Sequence, residues 1–317
     1  MGFNPGRLAA APTPMAGLAL GIASLGWCWE NSGLFAGQAQ RLGAVFAAAM
    51  LLVLLGKFLL HPKSLWQDLA HPVVGSVVPT FAMATMVVSK AISGPVGAGL
   101  WLLAVLLHLL FLLAFCFHRL RQFELSHMVP SWFVPPVGII VADVACPGAA
   151  MLPLAQGLLW FGIICYGLML PLMLYRLIFA AEVPDAAKPT IAILAAPASL
   201  SLAGYLTVVE QPSPLLVSLL LGIAVLMTGI IYLAFFKLLR LPFSPGFAAF
   251  TFPMVIGATA LFKTEACFRQ WQLPPQTVIQ LHGLAQLELA VATVIVSYVA
   301  LRYVLYFNPL RQRALVG

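Results

Sequence analysis

The stretch AAFTFPMVIGAT, residues 248–259, is an apolar run of small and β-branched residues with a proline near its centre. Four other stretches read the same way: APTPMAGLALGIAS (11–24), VGSVVPTFAMAT (74–85), SWFVPPVGIIVA (131–142) and ILAAPASLSLAG (193–204). Their prolines are Pro14, Pro79, Pro135, Pro197 and Pro253, spaced by 65, 56, 62 and 56 residues. Between them lie longer Leu-rich runs such as LWLLAVLLHLLFLLAF (100–115), mostly without a central proline; the run holding Pro153 and Pro171 is the exception. A fixed period that covers two helices is the mark of a helical-hairpin repeat, here present five times. Five hairpins do not divide into the two inverted halves of many transporters. A ring closes them most simply.

Composition sets the solvent. Apolar residues make up 62% of the 317-residue chain and charged residues 8%, where soluble proteins carry about 25% charged. Such a chain cannot cover a water-facing surface, so lipid is its solvent. The sixteen basic residues form no run or stripe, which excludes a nucleic-acid binder despite the pI of 9.4. Cys28, Cys116, Cys146, Cys165 and Cys267 make no CxxC pair and no ligand cluster with histidine, so they read as free thiols. The pairing of Cys28, Cys146 and Cys267, expected on one face, is left open. Gly2 lacks the hydroxyl partner of a myristoylation signal. Pro12 and Pro14 argue against a signal peptide and for a retained first helix.

A spanning helix needs about 20 apolar residues. Ten stretches qualify: 8–29, 42–60, 72–89, 96–117, 128–142, 151–175, 189–209, 215–236, 241–262 and 277–301. The expected fold is all-α and integral to the membrane, one domain over residues 1–317. With the N-terminus inside, Arg7, Lys57, Lys63, Arg119, Arg121, Arg176, Lys188, Lys237, Arg240, Arg302, Arg311 and Arg313 fall on the inner side. Only Arg41, Lys90, Lys263 and Arg269 fall outside, and this asymmetry sets the orientation, with both termini cytoplasmic.

A proline in mid-helix frees a carbonyl about one turn earlier. In lipid such a group is tolerated only against protein or a water-filled cavity, and small residues allow close helix approach. The proline-broken helices (spans 1, 3, 5, 7 and 9) are therefore expected inside, around a pore, and the Leu-rich helices (2, 4, 6, 8 and 10) outside. The inner helices carry no charge between their ends. Lys90, Asp143 and Lys263 stand beyond the prolines by about 12–17 Å at 1.5 Å per residue. Anion preference must then come from helix-segment dipoles, from hydroxyls such as Ser76, Thr80, Ser199, Ser201 and Thr251, and from pore width. Lys90 and Lys263 supply charge at the outer mouth.

Ten spans, the five-fold proline repeat and the Thr-Phe-Pro step at 251–253 resemble the tellurite-resistance/dicarboxylate transporter family. That family includes the bacterial tellurite-resistance protein TehA and the slow-type anion channels of plant guard cells. The resemblance runs the length of the chain, clearest in PTPMAGLALGIASLGWCWE, HPVVGSVVPTF, residues 131–135, APASLSLAGYL and AFTFPMVIGATA. It implies a homotrimer in the bacterial inner membrane, each protomer holding its own anion pore. A phenylalanine beside the proline of the ninth helix blocks that pore, and the matching residue is Phe252. Phe250 and Phe262 are its neighbours and competitors.

The other polar residues of the spans have simpler readings. Glu288, in QLELAVATV, reads as a buried carboxyl bound to a neighbouring helix or as a proton-coupling group. His108 and His282 read as polar packing contacts. His61-Pro62 and His71-Pro72, around Asp68, read as proline-led helix starts and not as a metal site. No metal, cofactor or enzymatic motif is expected; HExxH is absent. The expected function is a channel for small monovalent anions such as chloride or nitrate. The alternative is a secondary transporter or exporter of tellurite or C4-dicarboxylates, driven by protons. A dicarboxylate carrier should place Arg or Lys at mid-membrane, and none is found.

Overall fold

The computed structural model describes residues 8–307, and every regular element among them is helical. In chain order these are α1 (Met15–Trp29), α2 (Gln38–Leu60), α3 (Pro62–Ala70), α4 (Val74–Lys90), α5 (Gly94–Arg121) and α6 (Pro130–Val144). They continue as α7 (Ala149–Phe179), α8 (Lys188–Val208), α9 (Pro214–Leu238), α10 (Pro245–Gln270) and α11 (Pro275–Tyr306). The short α3 turns into α4 through a bend of 109°.

Seven of these helices are long and apolar enough to cross a membrane, or eight if α3 and α4 together form one broken span. The sequence expectation was ten. The two that fall short, α1 and α6, have 15 residues each. In α6 the chain alternates between 3-10 and α turns. Because a 3-10 residue rises about 2.0 Å against 1.5 Å in an α-helix, α6 still extends about 26 Å.

Burial separates two classes. In α8 and α10 the apolar stretch is 83% buried, whereas in α2, α5, α7, α9 and α11 the share is 28–39%. Residues of α4 and α6 are also mostly buried, and those of α1 are buried or half-buried with none exposed. The five buried elements contact one another in a closed circuit: α1 on α4, α4 on α6, α6 on α8, α8 on α10, and α10 back on α1. Each also packs on the helix that follows it, α2, α5, α7, α9 or α11. Those outer helices turn exposed Leu, Val, Ile and Phe outward, Leu103, Leu168, Leu233 and Val294 among them, as lipid-facing surfaces do.

The prolines sit differently from the expectation of mid-helix kinks. Pro14 and Pro79 cap the N-termini of α segments starting at Met15 and Thr80. Pro197 is second in the segment Ala196–Val208, and Pro253 third in Thr251–Gln270; each follows a 3-10 stretch. Pro135 is second in the single turn Val134–Val137. A first-turn proline removes an N–H that has no helical acceptor in any case. At Pro14, Pro197 and Pro253 the repeat therefore marks where α-helix begins, whereas Pro79 parts the short α turn Val74–Val77 from the rest of α4 and Pro135 lies within the irregular α6.

Close crossings between the elements depend on glycine. A Cβ on Gly26 would lie 2.3 Å from the Ala39 carbonyl, and one on Gly43 would lie 2.8 Å from the Ile22 carbonyl, so α1 and α2 meet backbone to backbone. Likewise a Cβ on Gly21 would overlap the side chain of Thr251 at 2.4–2.5 Å, which seats α10 against α1.

Candidate functional site

At the end where α1, α4, α6, α8 and α10 begin, the ring opens into a cavity of about 580 Å³. All five elements line it: Pro14, Gly17 and Leu20; Val77, Thr80 and Met83; Val134, Val137 and Gly138; Ala196, Pro197 and Leu200; Phe252 and Pro253. Leu20, Met83, Gly138, Leu200 and the Phe252–Pro253 pair are the lining residues farthest along their elements. They form an apolar floor, beyond which the inner elements remain packed and buried.

Phe252 is 8% exposed and belongs to this floor. Its two competitors are placed elsewhere. Phe250 is fully buried, with its ring 4.8 Å from Phe247 and 5.4 Å from Phe235. Phe262 stacks edge-on with His282 at 6.0 Å. The cause is local: the switch from 3-10 to α at Thr251 aims consecutive side chains differently, and only Phe252 reaches the cavity.

The prolines and hydroxyls divide in the same way. Pro14, Pro197, Pro253 and Thr80 are in the cavity wall; Pro79, Pro135, Ser76, Ser199, Ser201 and Thr251 are not. Ser76 bonds Ser131 Oγ at 2.6 Å and the Val73 carbonyl at 2.7 Å. Thr251 bonds the carbonyls of Ala248 at 2.7 Å and Gly17 at 3.2 Å, tying α10 to α1. Ser199 donates to the Ala195 carbonyl at 3.0 Å, and Thr80 to the Val77 carbonyl at 2.6 Å. Ser201 is buried without a hydrogen-bond partner. A hydroxyl bonded to a carbonyl has its single proton committed, so Thr80 shows the cavity only lone pairs. The attraction for an anion then comes from the wall hydroxyls of Ser64 and Ser244 and from the positive ends of the α segments that begin at the cavity, about half an elementary charge each before screening.

Among the described residues the ionisable groups of the wall are Lys57 and Asp68, at the mouth. Lys57 Nζ lies 3.2 Å from Asp68 Oδ2. Thr13 bridges them, accepting from Lys57 Nζ at 2.9 Å and donating to Asp68 at 2.5 Å. Lys57 is 4% exposed. This triad joins α2 and α3 to the segment just before Pro14. In the sequence Lys57 reads as an orientation charge and Asp68 as part of a loop between two histidine-proline pairs. The available signal was a lysine in the last turn of an otherwise apolar helix, which needs a partner.

Lys90 and Lys263 stand at the opposite end, away from this cavity, and Lys90 donates to the Cys146 carbonyl at 2.8 Å. Asp143 is fully buried, and neither carboxylate oxygen has a partner. His108, on the outer helix α5, reaches inward to the Pro135 carbonyl at 2.8 Å. It thereby satisfies a carbonyl inside the irregular α6. His282 bonds Glu265 at 2.8 Å, and Glu288 accepts from the Tyr232 hydroxyl at 2.5 Å. His71 Nδ1 accepts the Val73 and Val74 amides, each at 3.1 Å, at the start of α4. Burial first, and then the nearby Arg119 charge, lower its pKa below the usual 6.5. All five cysteines are free, and no cluster of three metal-binding side chains occurs among the described residues.

The sequence that builds this ring and cavity matches a known family. The SLAC1 family profile, described as voltage-dependent anion channel, matches residues 15–304. The chain belongs to the SLAC1 family. The matched region takes in all eleven elements up to the last turn of α11. Two proteins of similar sequence come from Methanocaldococcus jannaschii. Uncharacterized transporter MJ0762 is 27% identical over 240 residues, covering 66% of this chain and 69% of that protein. Uncharacterized transporter MJ0576 is 27% identical over 218 residues, covering 59% of this chain and 62% of that protein. The chain is thus a multi-pass membrane protein of a family described as an anion channel, and these two relatives are named as transporters.

Proposed function

We propose that this SLAC1-family protein is a channel for small monovalent anions, chloride- or nitrate-like. Its path enters the five-walled cavity and is closed by Phe252 in the apolar floor. One observation carries the reading: all five inner elements contribute to a single cavity whose floor is apolar and whose charged groups among the described residues, Lys57 and Asp68, already neutralise each other at the mouth. An anion in that cavity meets helix N-termini, and the one acidic group of the described wall, Asp68, is paired with Lys57. Such a site holds ions weakly, and weak holding favours passage over capture. Selection then follows the cost of dehydration, with the more weakly hydrated anions favoured.

The ten elements α1, α2 and α4–α11 act as ten spans in five hairpins, with α1, α4, α6, α8 and α10 within and their partners facing lipid. The excess of Lys and Arg at the cavity end supports a bacterial cytoplasmic membrane location with that end, and both termini, inside. Three copies form a homotrimer, each with its own pore. Anion flux from liposomes, measured in single-anion solutions with and without a pH gradient, tests the function. The channel reading requires flux down the anion gradient whatever the pH gradient. Flux that stops without a pH gradient, or that favours tellurite or C4-dicarboxylates, gives the secondary-transporter reading instead.

A further inference from the structure

A second cavity, of about 200 Å³, lies behind the pore wall, bounded by α8, α9, α10 and α11. Its walls are mostly Leu, Ala and Val. Its polar groups are Glu288, Tyr232, Thr228 and Ser199. Glu288 is 6% exposed, and among the described residues its carboxyl accepts a hydrogen bond from the Tyr232 hydroxyl, 2.5 Å from Oε2. A carboxylate withdrawn from water is costly unless paired, and a phenol brings a hydrogen bond but no charge. Gly257 leaves the space above the carboxylate open: a methyl there would stand 3.8 Å from Glu288 Oε2 and 3.9 Å from Thr228 Oγ1.

We propose that this cavity binds a small organic amine, with its ammonium group on Glu288 and a compact apolar body against the surrounding leucines. The volume suits one ring, since a cavity of about 150 Å³ accepts benzene. The ammonium supplies the charge that Tyr232 cannot, and the Thr228 hydroxyl can accept a second N–H. Entry is lateral, between α9 and α11, where Val225 in the cavity wall is 45% exposed. Ser199 and Gly257 lie two and four residues past Pro197 and Pro253, so an occupant presses on the backs of two helices that wall the main cavity.

The test is equilibrium binding of benzylamine, benzyl alcohol and toluene to the purified full-length chain in detergent, by calorimetry and by shift of melting temperature. Benzylamine should bind at least tenfold more tightly than benzyl alcohol. Glu288→Gln should erase that preference while leaving toluene unchanged. Gly257→Ala, whose added methyl meets only ordinary contact distances, should weaken benzylamine at least fivefold with Glu288 in place. Equal binding of amine and alcohol by the unmodified chain overturns the proposal. So does benzylamine affinity unchanged in Gly257→Ala, which decides the matter if Glu288→Gln does not fold. Because no anion moves in this experiment, its failure would leave the channel reading standing.

Discussion

Replacing Phe252 with alanine tests the floor of the main cavity directly. Phe252 shares that floor with Leu20, Met83, Gly138 and Leu200, and nothing in it offers an anion a hydrogen-bond donor. Removing the ring opens space on the order of the 150 Å³ that holds benzene, enough to carry water from the 580 Å³ cavity through the layer. An unpaired ion in a dry layer bears a penalty of several kcal/mol. Recovering about 1.4–2.8 kcal/mol of it raises flux 10- to 100-fold. The stability cost should be modest. A fully packed Phe→Ala change costs about 3–5 kcal/mol, but this ring faces a cavity on one side, so about 2 kcal/mol is expected. The assay is chloride flux or bilayer current per reconstituted protein, with melting temperature measured alongside. Phe250→Ala is the companion, because that ring sits in the Phe235–Phe247 cluster. It should cost more stability and open nothing. A folded Phe252→Ala protein conducting within twofold of the unmodified one refutes the reasoning, as does a larger current from Phe250→Ala.

Three other expectations follow from the same geometry. Lys57→Met and Asp68→Asn should each destabilise by about 2–4 kcal/mol, because each leaves a partner poorly compensated; the double variant should lose less than the sum in a melting cycle. Asp68→Asn should also raise anion flux by leaving Lys57 unopposed at the mouth. Gly26→Ala places a methyl against the Ala39 backbone, which cannot move aside as a side chain would, and should cost about 1–3 kcal/mol or more in denaturation. His71 has a folded pKa below its unfolded 6.5 because burial and Arg119 disfavour its charge. The unfolded chain therefore takes up the proton first as pH falls. The His71 contribution should be complete above pH 6.5 and decline below it, and His71→Asn should flatten the melting temperature between pH 7 and 5.

Much of the architecture was legible because the requirement that backbone groups be satisfied in lipid leaves a repeating trace. The proline period separated runs of small residues from Leu-rich ones. Helices α8 and α10, which come from the former, are far more buried than α2, α5, α7, α9 and α11, which come from the latter. The count of ten spans was not matched by the seven or eight long apolar helices. The helical form within the period was not legible. A proline in an apolar run is compatible with a kink, a helix start or a 3-10 junction, and the choice depends on what packs against the preceding turn. At α10 the determinant is Thr251, held to Gly17 across a crossing that Gly21 permits. At α6 it includes His108, which comes from another helix altogether.

Composition and period alone thus determined the solvent, the repeat and the absence of charge near the prolines, since each is a property of residue type and spacing along the chain. Tertiary structure alone decided which of Phe250, Phe252 and Phe262 faces the cavity and which hydroxyls are spent on carbonyls. It also decided that Lys57 meets Asp68 through Thr13, and that Glu288 borders a second cavity. Each of these depends on a few ångströms between elements distant in sequence, and on the direction a side chain takes when a 3-10 turn becomes an α-helix. Neither is encoded in spacing.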